Sequence, residues 1–293
     1  MRVLVTGSSG HVGNAVATHL TKAGLEVVGL SRRPGDPAAS IEHVQADIGS
    51  ETVADRLSRQ IRPCHGVVHA AASLEREPDA AAVPLTNCLG TQQMLKLASL
   101  WDARSFVYIS GIAVIGSPRY HPITEDHPTD PPTAYHASKL FGEHLVRLAT
   151  SKELAAASLQ LTAPVGLGTP GGRILPVFVR RALANEPLRI AGCGTRRQNY
   201  VDVRDVATAV ELCLRKSVAG LFHIASNESI SNLDLARTCI RVLNSASVIE
   251  FSGEPDAEEG IVWDVSIARA AERFGYRPQF TIEDSIRSLA PGI

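Results

Sequence analysis

Tyr135-His136-Ala137-Ser138-Lys139 sets a phenol and an ammonium four residues apart. On a helix, positions i and i+4 share a face, so the two groups meet. An ammonium beside a phenol favours the phenolate and predicts a lowered phenol pKa. Such a tyrosine can give a proton to a substrate oxygen, or take one, while hydride moves at the carbon that bears it. The same spacing also arises as an ordinary surface pair. The chemistry therefore needs a hydride carrier bound elsewhere in the chain.

A site for one stands at the N-terminus. Thr6-Gly7-Ser8-Ser9-Gly10-His11-Val12-Gly13 spaces its glycines as G-x-x-G-x-x-G, directly after the apolar run Val3–Val5 and before a helical pattern at Val12, Val16 and Leu20. Residues without side chains let backbone N–H groups approach a pyrophosphate, and the helix N-terminus adds partial positive charge. Gly7, Ser9, Gly10, His11, Val12 and Gly13 are thus expected to cradle a dinucleotide. The second strand ends in Ser31-Arg32-Arg33. A carboxylate at Ser31 would hold the ribose hydroxyls of NAD, whereas serine and arginines suit a 2′-phosphate. NADP is the expected cofactor and NAD the alternative. Asp47 and Ile48 follow the third strand, with Asp47 expected to reach the adenine.

The elements that must position these groups alternate. Val3–Val5, Val27–Leu30, Val67–Ala70 and Phe106–Ile109 read as buried strands, with helical patterns between them. Alternation implies βαβ units and a doubly wound parallel α/β sheet. After Pro164 the order weakens. Leu175–Ala184 reads as a helix, Leu188–Ile190 as a short strand, Val206–Leu214 and Leu221–Ile224 as a return to the sheet, and the tail from Ser231 as three helices and the strand Val248–Phe251. The expected division is a cofactor domain over 1–164, rejoined by 200–225, and a small substrate lobe from 165–199 and 226–293.

Composition excludes several classes. The 293 residues carry a net charge of −1, with no basic block to attract nucleic acid or an anionic membrane. Five cysteines lack metal-ligand or framework spacing, which predicts no metal, no disulfides and a reducing compartment. No leader or membrane-length apolar run is evident, so a cytoplasmic location is expected.

Together these segments resemble the extended short-chain dehydrogenase/reductases, in the nucleotide-sugar epimerase/dehydratase branch. The matching stretches are Thr6–Gly13, Val68-His69-Ala70-Ala71, Asn87 with Gly90-Thr91, Val107–Gly116, Pro132–Glu143, Pro164-Val165-Gly166, Tyr200–Ala207 and Phe274–Pro278. The resemblance implies a Rossmann-like sheet. It makes Tyr135 the acid/base and has Lys139 position both the tyrosine and the nicotinamide ribose. It sets His69, Ala70, Ala71 and Asn87 along the cofactor, Pro164 and Val165 near the nicotinamide, and Ala72 toward the substrate. It also implies a homodimer through two long helices, Ala80–Trp101 and Ala134–Thr150.

Two departures from the family pattern stand out. Counting back from Gly116 puts Gly111 where a catalytic hydroxyl is usual, and Ser110 falls one residue early. Strand side chains alternate faces, so Ser110 serves only if the strand end bends; Thr133 is the other candidate. Gln198 stands where an arginine usually grips a diphosphate, preceded by Arg196 and Arg197, and Glu258-Glu259-Gly260 stands where a second arginine is usual. His121 and His127 read as surface loop residues. The expected function is an NADP(H)-dependent ketoreductase on a sugar, nucleotide-linked by resemblance. The alternatives are an epimerase with the same residues, a dehydratase ranked last because Gly111-Ile112-Ala113 offers no further acid or base, and a cofactor-binding sensor.

Overall fold

The computed structural model describes residues 1–34, 41–77 and 79–292. The first half alternates strand and helix: β1 (Arg2–Thr6), α1 (His11–Lys22), β2 (Glu26–Ser31), β3 (Glu42–Gln45), α2 (Val53–Gln60), β4 (Gly66–His69), α3 (Gly90–Leu100), β5 (Ser105–Gly111), α4 (Ala134–Ala149) and β6 (Ala155–Leu161). Then come β7 (Ala163–Val165), α5 (Ile174–Leu183), β8 (Leu188–Ile190), β9 (Arg197–Asp202), α6 (Val203–Lys216), β10 (Gly220–Ile224), β11 (Ser229–Ser231), α7 (Asn232–Val242), β12 (Ile249–Phe251), α8 (Ala268–Phe274) and α9 (Ile282–Leu289).

Seven strands form one sheet in the order β10-β6-β5-β4-β1-β2-β3, every pair parallel. The chain winds one way from β1 to β3 and the other way from β4 onward, so the crevice opens at the carboxyl end of β1. The expected parallel doubly wound sheet is the observed one. Its central strands are largely apolar runs because both faces are covered, while the edge strand β3 is polar and partly exposed. Val3, Val5, Val107 and Ile109 pack with α1 and α6, while Leu4, Phe106 and Tyr108 pack with α2, α3 and Val146 of α4. Each such buried side chain contributes about 1.5–3 kcal/mol.

Gly142 lets α4 approach this sheet. A Cβ there would stand 2.3 Å from the Tyr108 hydroxyl. The expected long helix over Ala80–Trp101 is helical without a break from 82 to 100, with a π-helical segment over Pro84–Leu89 running directly into α3. Pro84 at its start lacks the N–H that a continuing helix would use. Beyond β6, a three-stranded sheet (β11-β9-β7) and the pair β12-β8 pack with α5, α7 and α9 around Leu175, Phe178, Leu235 and Ile286. The tail from Ser231 does hold three helices and one strand near the expected positions. Val206–Leu214 lies within α6, and β10 is the segment that rejoins the sheet.

Candidate active site

A cleft of about 1150 Å³ opens over the strand ends. One wall is the glycine loop. Gly7 adopts φ +70°, and a Cβ there would stand 2.8 Å from the amide nitrogen of Ala71; a Cβ on Gly13 would stand 2.1 Å from the Gly7 carbonyl. Both positions therefore need glycine to bring loop, helix and neighbouring strand together. α1 starts at His11 with no side-chain cap and no acidic residue in its first turn. Its first amides lack intrahelical partners, and the macrodipole favours an anion there. This cradle fits a dinucleotide pyrophosphate. His11 lies 3.3 Å from the Thr169 hydroxyl through Nε2. Burial, aided by the charge of Arg173, pushes its pKa down to about 4. His11 is neutral near pH 7 and adds no charge to the cradle.

At the adenosine end, Arg32 and Arg33 line the cleft with Ser31, Ala46 and Ile48. The Ser31 hydroxyl is already engaged. It donates to the Arg33 carbonyl at 2.7 Å and stands 3.0 Å from His43 Nε2. Asp47 lies outside the lining, and its Oδ1 accepts the Gly49 amide at 2.9 Å. A local turn thus holds one oxygen of the Asp47 carboxylate.

Four more expected contacts stand behind the wall instead of on it. His69 is fully buried, wedged between the hydroxyls of Thr6 (2.8 Å) and Thr91 (3.1 Å). Burial drives its pKa down to about 3. Asn87 bridges Ser73 and the Ser138 hydroxyl of α4. Val165 packs into the lobe core. Arg197 turns away to the Ser229 carbonyl. Ala70, Ala71, Ala72 and Pro164, by contrast, do line the cleft.

Tyr135 and Lys139 share one face of α4 and both line the cleft. Lys139 is buried. Its Nζ donates to the Ile109 carbonyl at 2.8 Å, 4.8 Å from the Tyr108 ring centre and 5.9 Å from that of Tyr135. Burial lowers its pKa to about 8 against the pull of Glu143. The phenol departs from the expected direction. Burial raises the Tyr135 pKa, and Arg173 and Arg76 oppose that rise. The reason is geometric, since the ammonium is held at a strand carbonyl.

Glu143 follows one helical turn after Lys139 and is buried beneath the pair. It accepts from the Ser110 hydroxyl, and from Gln160 Nε2 at 3.0 Å to each oxygen. Gln160 Oε1 in turn lies 3.0 Å from His223 Nε2. Burial raises the Glu143 pKa to about 7. Ser110, at the end of β5, lines the cleft, and its hydroxyl donates to Glu143 of α4. Thr133, the other candidate, caps α4, with Oγ1 accepting from the His136 amide and 2.8 Å from His136 Nδ1. A Cβ on Gly111 would meet nothing within 4 Å. The place of the usual hydroxyl is open space.

At the far end stand Gln198, Tyr200, Asn232, Ile261 and Trp263. Arg196 lines it too, but its guanidinium is paired with Asp256 at 3.6 Å and Glu258 at 2.5 Å. Sequence reasoning missed Arg76, Arg173 and Glu143. Glu143 carries a legible signal, its i+4 spacing from Lys139. Arg76 and Arg173 sit in loop and helix-start positions with no local motif. His127 is buried, with Nε2 accepting the Arg119 amide at 2.9 Å, and so is not the surface residue expected.

Comparison with known proteins agrees with this geometry. The model of the NAD dependent epimerase/dehydratase family matches residues 3–225. A UDP-glucose 4-epimerase of Azospirillum brasilense is 30% identical over 272 residues, covering 84% of this chain and 77% of that protein. A dTDP-glucose 4,6-dehydratase of Xanthomonas campestris is 24% identical, covering 97% and 90%. The solved UDP-glucose 4-epimerase of Thermus thermophilus, in complex with NAD, superposes with a TM-score of 0.86 at 23% identity, over 99% of this chain and 98% of that one. The glycine cradle, the parallel sheet and the Tyr135/Lys139 helix lie within the matched span, and the chain belongs to the NAD dependent epimerase/dehydratase family.

Proposed function

We propose that the protein is a nicotinamide-dependent oxidoreductase acting on a hydroxyl or keto carbon of a sugar, with net reduction of a nucleotide-linked keto-sugar as the first reading. The observation that carries it is the phenol of Tyr135 in the same cleft as the uncapped start of α1 and its glycine cradle. A bound nicotinamide would supply or accept the hydride. Tyr135 holds the proton for the substrate oxygen at its hydroxyl. Lys139, fixed by the Ile109 carbonyl, sets the charge beside it. Gly111 supplies no hydroxyl, so Tyr135 alone serves the oxygen. Arg32 and Arg33 at the adenosine end support NADP over NAD. The segments after Pro164 form the substrate lobe in this reading.

The 30% identical relative named as a UDP-glucose 4-epimerase favours a second reading, in which one carbon is oxidised and re-reduced with no net cofactor change. Cofactor oxidation against a panel of 4-keto nucleotide sugars decides between the two. Steady NADPH consumption, lost in Tyr135→Phe, supports the reductase. Isomer interconversion without cofactor turnover supports the epimerase. Silence with cofactor bound supports a sensor.

A homodimer also belongs to this reading. Phe141 and Leu148 on α4, with Leu85 and Leu100 at the two ends of the π turn and α3, expose apolar surface that a second copy would cover. Light scattering showing a monomer at micromolar concentration would count against it. A cytoplasmic setting belongs to the same reading.

A further inference from the structure

Charge is distributed unevenly along the cleft. Among the described residues its lining carries six cationic side chains, Arg32, Arg33, Arg76, Lys139, Arg173 and Arg196, against one carboxylate, Glu258. Arg32 and Arg33 stand at the adenosine end. Lys139 is held by the Ile109 carbonyl, and Arg196 is neutralised by Asp256 and Glu258. Arg76 and Arg173 remain, and neither enters an ion pair among the described residues. They approach from different walls. Arg76 lies in the segment after β4 and acts electrostatically on Tyr135 and His136, whereas Arg173 opens α5 and acts on Tyr135, His11 and Tyr200. Both line the cleft that holds the phenol. In the same cleft the open space at Gly111 leaves room for a substituent.

We propose that Arg76 and Arg173 form a subsite for a carboxylate carried by the substrate close to its reacting carbon, which makes a sugar acid, not a neutral sugar, the preferred ligand of this cleft. This rests on reading the cleft as a sugar oxidoreductase site. A guanidinium matches a carboxylate bidentately, and two from opposite walls hold it in register over the phenol. Cations lining a cleft outside any salt bridge are expected where a ligand brings the anion. The far end contrasts with this, since its arginine is already neutralised. The acid can be free or nucleotide-linked, since the carboxylate is common to both. Arg173 lies near enough to His11 that the cofactor pyrophosphate is the competing anion.

The test is calorimetric titration of the cofactor-saturated protein with glucuronate against glucose, and UDP-glucuronate against UDP-glucose. An acid that binds at least about tenfold tighter than its neutral counterpart, in either pair, supports the subsite and tells which form it takes. Arg76→Gln and Arg173→Gln should each weaken the acid by about ten- to hundredfold, with the neutral counterpart and the dinucleotide changed less than about twofold. Equal binding of acid and neutral sugar overturns the proposal, as does no binding of either acid. Arg173→Gln weakening the dinucleotide as much as the acid also overturns it, by assigning that arginine to the pyrophosphate. Failure of the oxidoreductase reading looks different: turnover unchanged in Tyr135→Phe, or no dinucleotide bound at all.

Discussion

The two walls of the cleft are built by different means. The cofactor wall is one contiguous stretch, Thr6–Gly13, whose function lies in backbone amides and in side chains that are missing. The opposite wall, to which we assign the substrate, draws on residues as distant as Arg76, Gly111, Arg173, Gln198 and Trp263, and its character lies in side-chain charge and in what neutralises it. Backbone geometry tolerates almost no substitution at a few positions. Side-chain walls tolerate substitution but change specificity when it comes. The contrast explains why this chain keeps its glycine cradle while departing from the family at Gly111 and Gln198.

Breaking the backbone wall should have the largest effect. Gly13→Ala would place a Cβ 2.1 Å from the Gly7 carbonyl, a clash with backbone on both sides. Dinucleotide affinity should fall by more than about a hundredfold, on the order of 3 kcal/mol or more. Calorimetry on the folded variant checks it, and near-native affinity would show the cradle to be more pliant than the contrast allows.

Next is the approach that seats the catalytic helix. Gly142→Ala sets a methyl 2.3 Å from the hydroxyl of fully buried Tyr108. Overpacking of this kind costs about 1–3 kcal/mol. Denaturant unfolding should show that loss, with turnover falling alongside as α4 shifts.

Glu143→Gln sharpens the electrostatic side. Lys139 is held near a pKa of about 8, and Glu143 is the charge that raises it against burial. The ammonium is present below that value and lost above it, so turnover should fall as pH rises through about 8. Removing the carboxylate removes the upward pull and should move this alkaline limb to lower pH. A kcat–pH profile with the limb in place would show that Glu143 only packs. The Ser110 hydroxyl, which lines the cleft, would be partly freed as well.

The smallest effect on stability is expected at Gly111→Ser. Nothing lies within 4 Å of the new Cβ, so Tm should change by no more than about 2 °C. The added hydroxyl faces the cleft, and turnover should rise. A large loss of stability would mean that the space is not open.

The sequence alone determined the elements whose signal is local. Apolar runs of strand length marked the parallel sheet, and the glycine spacing after β1 marked the cradle. The Tyr135/Lys139 pair was legible because i and i+4 always meet on a helix. The one-residue offset of Ser110 was legible for the same kind of reason, since a strand alternates faces with period two. Only the tertiary structure decided the charges. Whether Lys139 lowers the Tyr135 pKa depends on where its Nζ finds an acceptor, and that acceptor is Ile109, 30 residues away. Arg196 and Arg76 are the same residue type at similar remove from any motif. One is neutralised by Asp256 and Glu258 and the other enters no salt bridge among the described residues, because pairing is set by chain segments distant in sequence. His69, Asn87 and Asp47 divide from the true lining in the same way. A sequence position near a strand end gives proximity to the cleft, but burial and hydrogen bonding decide whether the side chain faces it.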